Sequence, residues 1–178
     1  GESDGNSITE QFALQAQGTS FDSLWYYHPF DAELAWYTYM IDTLGGSTDQ
    51  YAAAYSSDVV QQELRRDRSG RMGETTIAFG TNYREQLHIG IALGLVSTEM
   101  DQVDVYKESK VMGPSNLEEL TLNDRLEVSG SGGYWSFGLI LQPKSSPVRL
   151  GWSYRSGTIL SVDDFYQVDA TATFSGEG

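Results

Sequence analysis

The chain has 178 residues, enough for one domain or two small ones, with a formal net charge of −14 and no cysteine. The charge argues against nucleic acid as a partner, because phosphate binding needs a basic face. The missing thiols exclude disulfide staples and thiolate metal sites. Nineteen glycines and 12% aromatic residues favour β-structure with tight turns. Residues 1–10 are polar and carry no leader-like apolar core. No run reaches the about 18 apolar residues of a membrane helix. A membrane β-barrel remains open, since its strands need only about 9–11 residues each.

Residues 1–63 read as a region of loops and short helices, without a clean period-two run. One helix is expected over 8–17, stopped by Gly18. Asp22 or Ser23 starts a turn. A second helix is expected after Pro29, helped by Asp31 and Glu33 and ended by Gly45-Gly46, with Phe30, Leu34, Tyr37 and Ile41 near one face. A third is expected over 49–55.

From 64 to 178 the pattern is one of antiparallel strands. The first is expected over 71–82 and ends in a short turn at Asn82-Tyr83-Arg84-Glu85. The second, from Gln86 to about Glu99 with a possible extension through Val103 and Tyr106, is the most informative. Leu87, Ile89, Ile91, Leu93 and Leu95 alternate with His88, Gly90, Ala92 and Gly94. Period two means a strand with one purely aliphatic face and one face stripped of bulk. A half-buried soluble strand carries bulky polar residues on its water face instead. Aliphatics toward lipid and small residues toward a lumen produce this asymmetry.

A long polar connection is expected over 100–118, broken at Met112-Gly113-Pro114-Ser115-Asn116. A third strand follows over 120–142, with Trp135, Phe137, Leu139 and Leu141 on one side and Tyr134, Ser136, Gly138 and Ile140 on the other. After a turn over 143–147, a fourth strand is expected over 148–160. Val148, Leu150, Trp152 and Tyr154 share one side, and Arg149, Gly151, Ser153 and Arg155 the other. Residues 161–178 read as an acidic loop with the edge of a further strand. Connections alternate short, long, short, as in outer-membrane barrels.

Several of these stretches resemble a family. Phe79-Gly80-Thr81-Asn82-Tyr83, leading into Leu87-His88-Ile89-Gly90-Ile91-Ala92-Leu93-Gly94, is similar to the FadL-like outer-membrane transporters of hydrocarbons and long-chain fatty acids, in their Bacteroidetes-type branch. So are Leu126-Glu127-Val128-Ser129-Gly130-Ser131-Gly132, Gly138-Leu139-Ile140-Leu141-Gln142-Pro143 and Val148-Arg149-Leu150-Gly151. Upstream, Pro29-Phe30-Asp31-Ala32-Glu33-Leu34-Ala35-Trp36 and Tyr39-Met40-Ile41-Asp42 look like that branch too. The resemblance spans about 8–170. It implies a mainly β fold, part of an antiparallel transmembrane barrel, with 1–63 as a helix-containing extracellular loop region. It also implies passive uptake of hydrophobic small molecules in the outer membrane of a Gram-negative cell, with a lateral opening in the wall. The family's hatch and its Asn-Pro-Ala-type motif are absent, and four to six strands cannot close a fourteen-stranded barrel. The pattern therefore reads as a middle piece, partnered by membrane lipid and the remaining strands and hatch.

Catalysis finds little support, and no cofactor or metal is expected. His28 and His88 stand alone, and no nucleophile elbow, phosphate loop or zinc spacing occurs. Gly130-Ser131-Gly132-Gly133 lies inside a strand, where glycine relieves crowding or permits a kink. Asp101 with Asp104, and Asp163-Asp164 with Asp169, offer oxygens of the kind calcium takes, but neither set has a calcium loop's spacing. Solvated acidic loops are expected there.

The ligand-contact candidates are Phe12, Phe21, Leu24, Trp25, Tyr26, Phe30, Leu34 and Tyr37, since apolar ligands need a concave apolar wall. Packing of the region's own small core is the equal alternative. Glu74, His88, Arg149 and Arg155 are expected toward the lumen, where charge can pair or hydrate. Ile77, Phe79, Leu87, Ile89, Ile91, Leu93, Leu95, Phe137, Leu139, Leu141, Leu150 and Trp152 are expected toward lipid. Trp135, Trp152 and Tyr154 suit an interfacial belt. Two other roles fit the residues: a barrel subunit docking proteins of an envelope complex, and a soluble β-sandwich or calycin-like binding module.

Overall fold

The computed structural model describes residues 2–4 by their backbone, and residues 7–55, 58–144 and 147–176 in full. The fold is mainly β and antiparallel. Its elements are β1 (Glu2–Asp4), α1 (Ile8–Ala16), a 3₁₀ turn (Phe21–Ser23), α2 (Leu24–Tyr27), α3 (Ala32–Tyr37), β2 (Ile41–Thr43), β3 (Tyr51–Ala53), β4 (Val59–Tyr83), β5 (Leu87–Met112), β6 (Leu117–Leu141), β7 (Leu150–Arg155) and β8 (Ile159–Phe174). One sheet runs β1-β4-β5-β6-β7, with β8 also paired to β6, and β2 and β3 form a separate hairpin. Among the described residues the large sheet's ladder does not close on itself.

The chain divides into two compact units, residues 1–68, 102–126 and 166–178 in the first, and 69–101 and 127–165 in the second. The boundary expected at 63/64 thus falls inside β4.

In the first unit, α1 starts where the Ser7 hydroxyl accepts a hydrogen bond from the Thr9 amide. Thr9, Phe12, Ala13 and Ala16 line its buried face, the spacing a helix imposes. Asp31 caps α3 by accepting from the Ala32 amide. The helix expected to reach Leu44 stops at Tyr37. Tyr39 adopts φ 57°, a left-handed stop, and Ile41–Thr43 pairs with 51–53 instead. That hairpin also replaces the helix expected over 49–55. The buried face of α3 is Ala32 and Ala35, while Phe30 and Tyr37 point outward. These elements share a core with Leu24, Met40, Ile41, Tyr51, Tyr55, Val60, Leu117 and Leu120.

Glu108 is buried on β5, and no cation pairs with it among the described residues. It accepts from the Ser7 hydroxyl (2.5 Å), the Ile8 amide (3.0 Å), the Gln62 amide nitrogen (2.9 Å) and the Tyr106 hydroxyl. The Ile8 contact places a negative charge on the N-terminus of α1, where the helix dipole favours it. Burial and this carboxylate both push the Tyr106 hydroxyl's pKa up. Nearby, Arg66 forks onto Asp104, with N–O distances of 2.6 to 2.9 Å, and holds that carboxyl below its usual range.

The connection expected over 100–118 is not a loop. β5 continues to Met112, β6 starts at Leu117, and only 113–116 turn. The turn folds back on buried Asp58, which accepts from the Ser115 amide at 3.0 Å. A side chain at Gly113 would lie 2.0 Å from Asp58 Oδ1, and Gly113 has φ 145°. Polarity misled here because cross-strand pairs absorb the charge: Lys107 meets Glu119 at 2.7 Å and Lys110 meets Glu118 at 2.6 Å. Residues 161–174 likewise belong to β8 rather than to a loop, and the fourth strand ends at Arg155 instead of continuing to 160. Part of the turn expected over 143–147, Ser145 and Ser146, lies outside the described residues.

Replacing Glu108 with Ala strands several donors in a dry site, each worth about 1–3 kcal/mol. The first unit is expected to lose about 3 kcal/mol or more in urea unfolding, and proteolysis is expected to start within residues 7–55. The Asp104 carboxyl has a lowered folded pKa, so its stabilisation is complete above the unfolded value of about 3.9 and is lost as pH falls through the folded value. Arg66→Met is expected to flatten that acid limb in a pH series of denaturation midpoints.

Candidate functional site

The second unit presents a sheet with two unlike faces. Gly73 packs on Ser97 and Arg71 pairs with Glu99 at 2.9 Å, which sets the register of β4 on β5. Gly94 and Tyr134 set that of β5 on β6. On β7, Phe137 faces Tyr154, Leu139 faces Trp152 and Leu141 faces Leu150. With these registers, the alternation of each strand falls in phase across the sheet.

One face gathers all twelve residues expected toward lipid, with Trp135 and Tyr154. Ile77 is 55% exposed, Leu93 and Leu95 63% each and Trp152 58%. Leu87, Ile89, Phe137 and Leu139 are half-buried among their own neighbours. The rings cluster, Phe137 on Trp152 at 5.9 Å and Trp135 on Tyr154 at 5.3 Å. The apolar rows stop at Ser97, and the Arg71–Glu99 pair follows one row later. The other end is the turn through Arg84 and Glu85.

The opposite face is thin. Ala78, Gly80, Gly90, Ala92, Ser136, Gly138 and Ser153 line a shallow hollow of about 560 Å³. A second hollow of about 700 Å³ continues it past His88 and Asn82. Beside these lies a polar cluster. The Tyr134 hydroxyl donates to the Glu74 carboxylate and lies 3.2 Å from the Thr76 hydroxyl. The Arg155 guanidinium sits 3.5 Å over the Tyr134 ring and reaches Glu74 at 3.5 Å. Gly94 makes this possible, because a Cβ there would be 2.1 Å from the Tyr134 ring.

The sheet has a break. β7 ends at Arg155 and β8 begins at Ile159, both paired to β6. Ser136 faces Arg155, yet Gly130 lies against Val162, so 156–158 insert one extra residue. The side-chain alternation flips across that insertion, as it does at a β-bulge. Leu93, Gly94, Gly133, Trp135, Gly157 and Ile159 border a small hollow of about 340 Å³ there.

The sequence candidates sort as follows. Glu74 and Arg155 come together on the thin face, with His88 at its hollow. Arg149 lies apart, bonded to Gln142. The eight proposed ligand contacts do not form one wall. Phe12 and Leu24 are buried in the helical core, Phe21 stacks on Trp36 at 5.7 Å, Phe30 meets Tyr166 at 5.1 Å, Leu34 is half-buried, and Trp25, Tyr26 and Tyr37 project outward. The acidic pairs are strand residues rather than loop residues. Asp104 is held by Arg66, and Asp163 and Asp164 point to opposite faces of β8. Sequence reasoning missed Tyr134 as the hub of the polar cluster and the break at Ser156-Gly157-Thr158. The second had a signal, three turn-forming residues inside an apolar run.

No protein-family model matches the chain, and no curated protein matches it.

Gly94→Ala is expected to displace Tyr134 and cost about 1–3 kcal/mol, as overpacking does. Tyr134→Ser should recover most of that loss in the double variant. A thermal-unfolding cycle over the four proteins checks this; additive losses would mean that the two residues do not interfere.

Proposed function

We propose that this chain is a section of the wall of an outer-membrane β-barrel of the FadL-like kind, through which hydrophobic small molecules pass without covalent chemistry. The observation that carries the reading is the uncovered aliphatic face of the second unit. From Leu87 to Leu95 it extends eight residue steps, about 27 Å along the strand at ~3.4 Å each. Tilted by about 40°, such a strand covers about 21 Å of membrane normal, close to the ~25 Å apolar band of outer-membrane barrels. Charge at Arg71 and Glu99 beyond one end, and at Arg84 and Glu85 beyond the other, matches a slab bounded by two polar layers. A soluble sandwich needs a second sheet on this face, and among the described residues of this unit none covers it.

The thin face then borders the lumen. Small residues there leave room for a solute, and Glu74 and Arg155 pair beside it around the Tyr134 ring, which lowers the cost of charge at the lumen. The one-residue insertion over 156–158 interrupts the ladder to β6, which suits sideways release of an apolar solute into the membrane. The backbone edges of β4 and β7 need partners within the apolar layer, which further strands of the barrel supply.

The chain is expected to float with phosphatidylcholine vesicles, and brominated lipid should quench a variant retaining only Trp152. A chain that stays monomeric in buffer and unquenched overturns the membrane reading. Leu93→Arg should cost about 2–4 kcal/mol of folding in vesicles, the midplane value for a charge on the lipid face. In a Gram-negative host, production of the protein is expected to raise uptake of labelled laurate severalfold. Unchanged uptake with normal insertion would remove the transport role alone.

A further inference from the structure

The second unit carries its charge unevenly along the strands. Thr98, Gly130 and Val162 lie side by side on β5, β6 and β8. Beyond that row, away from the Arg84–Glu85 turn, stand Glu99, Asp101, Glu127, Asp163 and Asp164, with Arg71 as the one cation. Nearer the turn, Glu74 and Arg155 pair. At the turn end the sign reverses, and Arg84, Lys144 and Arg149 stand against Glu85 alone. Those residues are every carboxylate, lysine and arginine of the unit.

The three cations belong to two connections that are joined. The Gln142 amide donates to the Gln86 carbonyl at 2.7 Å, and the Gln142 side chain accepts from the Arg149 guanidinium at 2.5 and 3.0 Å. Leu87 is thereby set beside Leu141, which faces Leu150, so the last aliphatic row ends directly before the cations. Arg84 lies over the Tyr83 ring, 5.3 Å from its centre, and Tyr83 continues the alternation of Ile77 and Phe79. All three cations are exposed, and none pairs with a carboxylate among the described residues. Arg84 and Glu85 adopt φ 54° and 57°. Hairpin turns of that hand favour Asn-Gly, so an arginine stands where glycine would cost less.

Exposed cations at the edge of an apolar layer complement anionic headgroups: the charge meets a phosphate while the stem stays against apolar surface. The acidic end does not cancel this. Thr98 is eleven residue steps from Leu87, about 37 Å at ~3.4 Å each, several times the ~10 Å screening length at 0.1 M salt. We propose that Arg84, Lys144 and Arg149 form a rim that holds the phosphates of anionic phospholipids at the turn end of the sheet. The inference rests on the membrane reading and adds the headgroup that this end selects.

The test is flotation of the full chain, diluted from urea, with vesicles of phosphatidylcholine alone or mixed in equal parts with phosphatidylglycerol, at about 0.1 M salt. Binding to both is expected, with partition at least tenfold higher into the mixture. Each basic residue near an anionic surface is worth roughly fivefold. The difference should vanish at about 1 M salt, where screening acts within ~3 Å. Arg84→Gly suits the turn, so its melting temperature should not fall, yet it should lose about fivefold of the preference. Arg84→Gly/Lys144→Gln/Arg149→Gln should abolish the preference and keep binding to phosphatidylcholine. Arg65→Gln, in the other unit, should change nothing. Equal partition into the two vesicles, or a preference that survives the triple variant, overturns the proposal alone. Absence from both vesicles overturns the membrane reading and this rim with it. Sodium phosphate should lower the preference no more than sodium chloride at matched ionic strength; specific competition by phosphate would make the rim a soluble-anion site instead.

Discussion

A strand cannot turn one side chain inward without turning its neighbour outward. In the second unit this pleat gathers most of the bulk on one face, aliphatic and aromatic, and leaves glycine, alanine and serine over much of the other, around Tyr134 and its polar partners. Burial of the large side chains is the usual reward for forming such a sheet. Here most of the large side chains lie on a face that the described residues of this unit leave open. The arrangement is stable only if something apolar outside the sheet takes the place of a core. In the proposed barrel, lipid would take that place without any second layer of protein.

The thin face has its own requirement. Removing bulk leaves room for a ring to lie flat, and Tyr134 fills it above Gly94. Its hydroxyl and ring then bring Glu74 and Arg155 into one neutral cluster. Glycine at 94 therefore serves the polar cluster as much as the space around it. One inserted residue after Arg155 shifts the register and interrupts the ladder beside this cluster, so the break in the sheet and its polar cluster are neighbours on β6 and β7.

The first unit solves a different problem. Three short helices and a two-stranded hairpin are each marginal alone, because helices below about 12 residues gain little from propensity. They are held by a shared core and by Glu108, which gathers the N-terminus of α1, a neighbouring strand and a tyrosine around one carboxylate. Ala13, Ala16, Ala32 and Ala35 are the small members of that core, and of α2 only Leu24 joins it while the rings face outward.

How much was legible in the residues depended on the range of the interaction concerned. Period-two alternation over 87–95, 135–141 and 150–154 is local, and it determined by itself that these are strands with one aliphatic face and which residues share it. Helix α1 was likewise legible, with its stop at Gly18. Pairing is not local. The polar residues of 100–118 look like a loop until Lys107 and Lys110 find Glu119 and Glu118 across a strand. Residues 41–43 and 51–53 look helical until they find each other. Tertiary structure alone decided the length of β5 and β6, the insertion at 156–158, the burial of Glu108 and the seat of Tyr134 on Gly94, since each depends on a partner far away in sequence.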